Sequence, residues 1–203
     1  MAKTKKQETG NQEEVKQEKP VVVTRAEKKD AAKNVIREIL AVKPLKHNEL
    51  IEEAAKKIPL FHSANMSLGV ALLVELAKIT ARTFPEADIE IIEKHHNRKL
   101  DAPSGTALLL ANAIREVREK ARLVFGRSGQ AKREADEIGV HAIRMGNIVG
   151  EHEVIVGTDT QTITLKHEAH SRALFAEGAL AAAEYLIGKP VGMYDMKKMI
   201  ESE

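Results

Sequence analysis

Apolar positions recur along this chain at two periods, and the switches between them mark its elements. Residues 26–42 carry Ala32, Val35, Ile36, Ile39 and Leu40 at the spacing of one helix face, and a second helix over 48–57 follows Pro44. An extended run at 58–65 leads to Ser67, a residue type that caps helices, and then to an apolar helix ending near residue 83. Isoleucines predict a strand over 88–94, and Leu109, Ala113, Ile114 and Val117 predict one face of a helix over 106–120. A polar connection runs through Gly126 and Gly129. Three strands then follow at 139–145, 151–156 and 161–169, separated by turns at 146–150 and 157–160. In the last of them Ile163, Leu165 and His167 share the face opposite Thr162, Thr164 and Lys166. Small residues over 171–187 suit a helix that packs closely on a sheet, and a short helix runs from 195 to the end.

This order predicts an α+β fold: an open mixed sheet of about four strands with helices packed on it, preceded by a short helical segment. Residues 1–19 have almost no apolar side chains to offset the entropy of ordering, so they read as a disordered charged tail. Residues 20–57 form the short helical segment, with a strand candidate at 20–24, and 58–203 form the main domain. No internal repeat is visible.

Composition narrows the function classes. The 32 basic and 30 acidic residues nearly balance, which argues against a surface dedicated to nucleic acid or membrane. The nine Lys and Arg against six Asp and Glu in residues 1–34 are a modest excess, that of a solvated tail. The absence of cysteine excludes disulfides, thiolate metal sites and a cysteine nucleophile, and fits the cytoplasm. The first residues lack a signal peptide's apolar core, and no eighteen apolar residues run together.

The chemistry concentrates in one loop between a strand and a helix start. In Asp101-Ala-Pro-Ser-Gly-Thr106, Ser104 can cap, Gly105 lets a ligand approach the backbone, and Thr106 opens the helix. Free amides and the positive end of the helix dipole make this a cradle for a carboxylate or phosphate, although an ordinary capped helix has the same local sequence. Just upstream, His95, His96, Arg98 and Lys99 add four potential cations. A histidine exchanges protons near neutrality, and a nearby lysine favours its neutral form while holding an anion, the combination general acid catalysis needs. Glu93, His95 and His96 could instead be metal ligands, but Lys94, Arg98 and Lys99 would repel a dication, so no metal is expected. His152 and His167 lie in separate strands, far apart in sequence.

The run EKHHNRKLDAPSGTA at 93–107 closely resembles the signature of the 4-hydroxy-tetrahydrodipicolinate (dihydrodipicolinate) reductases. SANMSLG at 63–69 resembles that family's turn between domains, and RMGNIVGEHEV at 144–154 resembles its hairpin. SRALFAEGA at 171–179 and GMYDM at 192–196 also fit, so the resemblance covers about residue 49 to the C-terminus. It implies that His95 is the proton donor and acceptor, that Lys99 is a second proton donor, and that His96, Gly105 and Thr106 hold the substrate with Ser104 beside them. It further implies a cyclic dicarboxylate substrate, reduction with NADPH or NADH in diaminopimelate and lysine synthesis, and a homotetramer built through the sheet. Ser63, Ala64, Asn65 and Met66 would touch the cofactor, with Met66 standing where the family often has an aromatic residue.

The family's Gly-rich pyrophosphate loop has no counterpart before Ser63, where some sixty residues are too few for two βαβ halves and contain no G-x-G-x-x-G. The main cofactor site is therefore not found in this sequence. A different class of function, a non-catalytic scaffold that contacts RNA or protein through its basic N-terminal segment, remains as the alternative.

Overall fold

The structure, a computed structural model, describes residues 25–42 and 45–202. The tail at 1–19 and the strand candidate at 20–24 lie outside them. The chain divides into two compact units, Met1–Pro44 and Leu45–Glu203. In the first, helix α1 (Arg25–Val42) occupies the span that its periodicity predicts. In the second, helix α2 (His47–Ala55) packs on a two-stranded parallel sheet of β1 (Pro59–Phe61) and β7 (Gly192–Tyr194). Among the described residues no helix is long and apolar enough to cross a membrane.

The main body is a five-stranded mixed sheet under two helices, α3 (Leu68–Thr83) and α4 (Gly105–Arg115). Its order is β3-β4-β2-β5-β6, with β2 (Asp88–His95) in the centre. β3 (Arg122–Phe125) and β4 (Glu137–Arg144) run parallel to β2, while β5 (Gly150–Gly157) and β6 (Thr162–Ala169) continue antiparallel on the other side. Every second residue of β2 is buried: Ile89, Ile91, Glu93 and His95 face the helices. Ile89 and Ile91 join Leu110, Ile114, Ile138, Val140, Val154 and Val156 in the core, where each large aliphatic side chain contributes about 1.5–3 kcal/mol by leaving water. Glu93 and His95 continue that row into polar chemistry at the strand's C-terminal end.

The fold class is as the periodicities indicate, but four expectations are corrected. The sheet has five strands rather than about four, because Arg122–Phe125, within the connection read as polar, pairs with β4. Four residues beside a polar loop carry too little alternation to be recognised. Helix α4 ends at Arg115 rather than near 120. Beyond it Arg118 turns back to bond the carbonyls of Ala81, Phe84 and Ala87. The buried face of α4 is Ala107, Leu110, Ala111, Ala113 and Ile114, while Leu109 looks onto clefts.

The segment 144–154 is not a hairpin, since β2 lies between β4 and β5. Its loop crosses the end of β2 instead: Met145 N donates to His95 O (3.0 Å), His96 N to Ile148 O (2.8 Å) and Asn97 N to Gly146 O (3.2 Å). The two histidines are thereby fixed at the sheet's edge. After the small-residue helix α5 (Ala173–Tyr185), β7 leads into the terminal helix α6 (Met196–Glu201), which Asp195 caps by accepting from Lys198 N (2.8 Å).

Candidate active site

Helix α4 starts at the mouth of β2, so its N-terminal amides face the end of the strand that carries His95. Ser104 is its N-cap, accepting from Ala107 N at 3.2 Å, and the Ala102–Pro103 bond before it is cis. Gly105 and Thr106 form the first turn. A Cβ on Gly105 would meet no atom within 4 Å, so the backbone there is open to a ligand. Thr106 Oγ1 accepts from Asn65 Nδ2 (3.0 Å) and keeps its own O–H available.

These residues border a cleft of about 360 Å³. His95, His96, Lys99, Ser104, Gly105 and Thr106, the residues given proton-transfer and substrate-binding roles by the resemblance, all line it, whereas Arg98 does not and donates to Asn147 Oδ1 (2.6 Å). Arg172, just before α5, adds a further cation from across the cleft, and among the described residues its guanidinium has no partner. Lys99 is paired with Asp101 at 2.8 Å. Burial, and then the cations of Arg98, Arg172, His95 and Lys99, hold His96 below the ordinary histidine pKa, and its Nδ1 is buried with no hydrogen-bond partner. Several positive groups around a free helix N-terminus suit a ligand with more than one negative charge.

Of the four residues assigned to the cofactor, Ala64 and Asn65 line this cleft and Ser63 lines its neighbour between α3, α4 and α6. Met66 packs instead in a small apolar cluster with Ala182, Met196 and Met199. The side-chain oxygens of Ser63 and Asn65 are engaged within the turn. Ser63 Oγ donates to Asn65 O (2.7 Å), and Asn65 Oδ1 accepts from Ser67 N (2.8 Å).

Three residues at the site were not assigned a catalytic or binding role from sequence. Glu93, considered there only as a metal ligand, is fully buried and accepts from Arg144 (2.6 and 2.7 Å) and from Ser104 N (2.9 Å), and it lies 2.6 Å from His95 Nδ1. Burial alone would raise its pKa, but the hydrogen bonds from Arg144, His95 and Ser104 outweigh burial and hold the carboxyl below its usual range. The signal for Glu93 was its i, i+2 spacing from His95, which puts both on one face of a strand. Arg144 gave no such signal, because only the parallel pairing of β4 with β2 sets it opposite His95.

The third, His152, stands opposite Glu93 on β5, its ring 5.2 Å from that of His95. Ser104 Oγ accepts from Ala107 N and shares a hydrogen bond of 3.1 Å with His152 Nε2. His167, opposite His152 on β6, repeats the arrangement at 3.4 Å from Ser67 Oγ, the N-cap of α3.

Burial, reinforced by the charge of His95, pushes the His152 pKa from 6.5 down to about 4. The folded state thus refuses a proton that the unfolded chain accepts below about pH 6.5. Stability from this residue is complete above that pH and is lost as pH falls toward 4, by on the order of 3 kcal/mol. Urea unfolding midpoints measured across this window should fall in the parent and fall less in His152→Gln.

Comparison with known proteins gives the site its family. The family model described as dihydrodipicolinate reductase, C-terminus, matches residues 69–200. The chain belongs to the dihydrodipicolinate reductase family. A 4-hydroxy-tetrahydrodipicolinate reductase of Caldanaerobacter subterraneus subsp. tengcongensis is 49% identical over 177 residues, covering 85% of this chain and 70% of that protein. One of Clostridium tetani is 54% identical over 155 residues, 75% of this chain and 61% of its own length. The chain thus spans some 61–70% of the length of these relatives. Among solved structures, a dipicolinate-bound dihydrodipicolinate reductase from Paenisporosarcina sp. TG-14 shares the fold, with a TM-score of 0.60 at 23% identity over 86% of this chain and 69% of that one.

Proposed function

We propose that this chain supplies the substrate-binding and proton-donating part of a 4-hydroxy-tetrahydrodipicolinate reductase, acting in the cytoplasm in diaminopimelate and lysine synthesis. The observation that carries the reading is the cleft itself, where the open first turn of α4 meets His95, His96, Lys99 and Arg172. A cyclic dicarboxylate fits this arrangement. One carboxylate accepts from the Gly105 and Thr106 amides and the Thr106 hydroxyl, and the other lies among the cations. His95 then delivers a proton to the ring being reduced, and Lys99, released from Asp101, is the second donor. Dipicolinate, bound to the Paenisporosarcina relative, is a dicarboxylate of this kind.

In such a reductase NADPH or NADH supplies the hydride. The residues present do not fit a whole dinucleotide: the sequence holds no G-x-G-x-x-G loop, and the side chains of Ser63 and Asn65 are already bonded to Asn65 O, Ser67 N and Thr106 Oγ1. Ala64 and Asn65 offer at most a wall beside the substrate. We also propose a homotetramer assembled through the sheet. The face turned away from α3 and α4 carries Ile92, Ile143 and Ile155 beside the pairs Lys94–Glu151 (3.1 Å) and His141–Glu90 (2.7 Å).

The reading is tested by calorimetric titration of the chain with dipicolinate and by oxidation of NADPH or NADH with freshly prepared substrate. Binding is expected, together with a rate that His95→Gln combined with Lys99→Ala abolishes. Binding without a rate in the parent would reduce the chain to a substrate-binding module, and no binding would overturn the reading. Sedimentation of the same sample showing only monomers would overturn the tetramer.

A further inference from the structure

We propose that Glu93 is the positioning residue of this site: its one buried carboxylate fixes His95 as the Nδ1–H tautomer, so that only Nε2 exchanges a proton, and holds the start of α4 at a set distance from it. The inference rests on the reading of His95 as the proton donor.

Four groups converge on two oxygens. Oε1 accepts from Arg144 Nη2 (2.6 Å) and Ser104 N (2.9 Å), and Oε2 accepts from Arg144 Nη1 (2.7 Å) while lying 2.6 Å from His95 Nδ1. A guanidinium and a backbone amide can only donate. Those donated bonds, two of them from a cation, hold the carboxyl ionised and its pKa below the usual range, so both oxygens are acceptors and the nitrogen facing Oε2 carries hydrogen. With Glu93 ionised, the neutral form of His95 is the Nδ1–H tautomer. The other ring nitrogen, Nε2, makes no hydrogen bond among the described residues. It lies on the side of Gly150, where a Cβ would sit 3.0 Å from it, so glycine at that position leaves the imidazole its place beside the cleft.

The same carboxylate holds the anion cradle. Ser104 is the N-cap of α4, and Arg144, while bridging both oxygens, also bonds Asp101 O (2.7 Å). Proton donor and carboxylate-binding turn are thus tied to a single fully buried group on the central strand. A buried ion pair is weak support for stability, and its value here is a fixed geometry. The arrangement follows the logic by which a carboxylate orients a catalytic imidazole and selects its tautomer.

The test reads the tautomer directly. Long-range ¹H–¹⁵N correlation spectra of the full chain, labelled in histidine and held well above neutral pH, should show His95 protonated at Nδ1, with His95→Gln giving the assignment. In Glu93→Gln the new amide must turn its oxygen to Ser104 N, since a backbone amide cannot accept. Its NH2 then faces His95, and the ring should invert to Nε2–H. Glu93→Gln with Arg144→Met removes the cation left without its carboxylate, and this second variant should show the same inversion should the single one fail to fold. An Nε2–H ring in the parent, or Nδ1–H retained in either folded variant, would overturn the proposal. Dipicolinate titration of the parent is read separately: failure to bind would defeat the assignment of the cleft and leave the tautomer result standing.

Discussion

Adding one methyl group at Gly178 is expected to destabilise the second unit by about 2 kcal/mol or more and to weaken ligand binding in a cleft that Gly178 does not line. An ideal Cβ there would sit 1.7 Å from Met66 O and 2.9 Å from Met66 C. The obstacle is backbone, so no rotamer change can relieve it, and either α5 or the 63–67 turn must move. Overpacking of this kind costs about 1–3 kcal/mol and occasionally more, against which alanine's better helix propensity returns up to about 1 kcal/mol. The displaced turn carries Asn65, whose amide bonds Thr106 at the cleft, and Ser67, which caps α3. Urea unfolding and dipicolinate titration of Gly178→Ala should therefore fall together. Gly105→Ala is the control, since its Cβ meets nothing within 4 Å: stability should hold, while the methyl group projects where the carboxylate is proposed to lie.

The second large effect is expected from removing the two cations that face the ligand. Lys99→Ala combined with Arg172→Ala should weaken dipicolinate binding on the order of a hundredfold or more. Hydrogen bonds to charged groups contribute about 1.5–3 kcal/mol each, and every 1.4 kcal/mol is tenfold in affinity. Lys99 contributes less than an unpaired lysine, because it must first leave Asp101, 2.8 Å away. Arg172 has no such competitor among the described residues and should carry the larger share. Calorimetry on each single variant separates the two, and equal losses would show that the Asp101 pairing is inconsequential. Both substitutions are at the cleft rather than in the core, so unfolding midpoints should scarcely change.

Much of the second unit was legible in sequence because its elements follow local periods. The isoleucine-rich run forms β2, Ser67 and Ser104 cap the helices they precede, and β6 keeps Ile163, Leu165 and His167 on one face. The loop at 93–106 already held residue types that bind anions and move protons, and they meet in one cleft. Short or paired elements were not legible. β3 has four residues and β7 three, too few for a period, and each exists because a distant strand offers it hydrogen bonds, whereas β1 falls within the extended run read at 58–65.

Local periodicity and residue chemistry, which depend on neighbours within a turn of helix or a few residues of strand, thus determined the main elements, the class of the fold and the loop proposed to bind anions and exchange protons. Sheet order was decided by tertiary structure. Only the insertion of β2 between β4 and β5 brings Arg144, from 51 residues away, onto Glu93, sets His152 against Ser104 and lays the 145–149 loop over the histidine pair. The lowered pKa of Glu93 and the tautomer proposed for His95 rest on Arg144, Ser104 N and His95 meeting two buried oxygens, and that meeting depends on the pairing of β4 with β2, strands far apart in sequence.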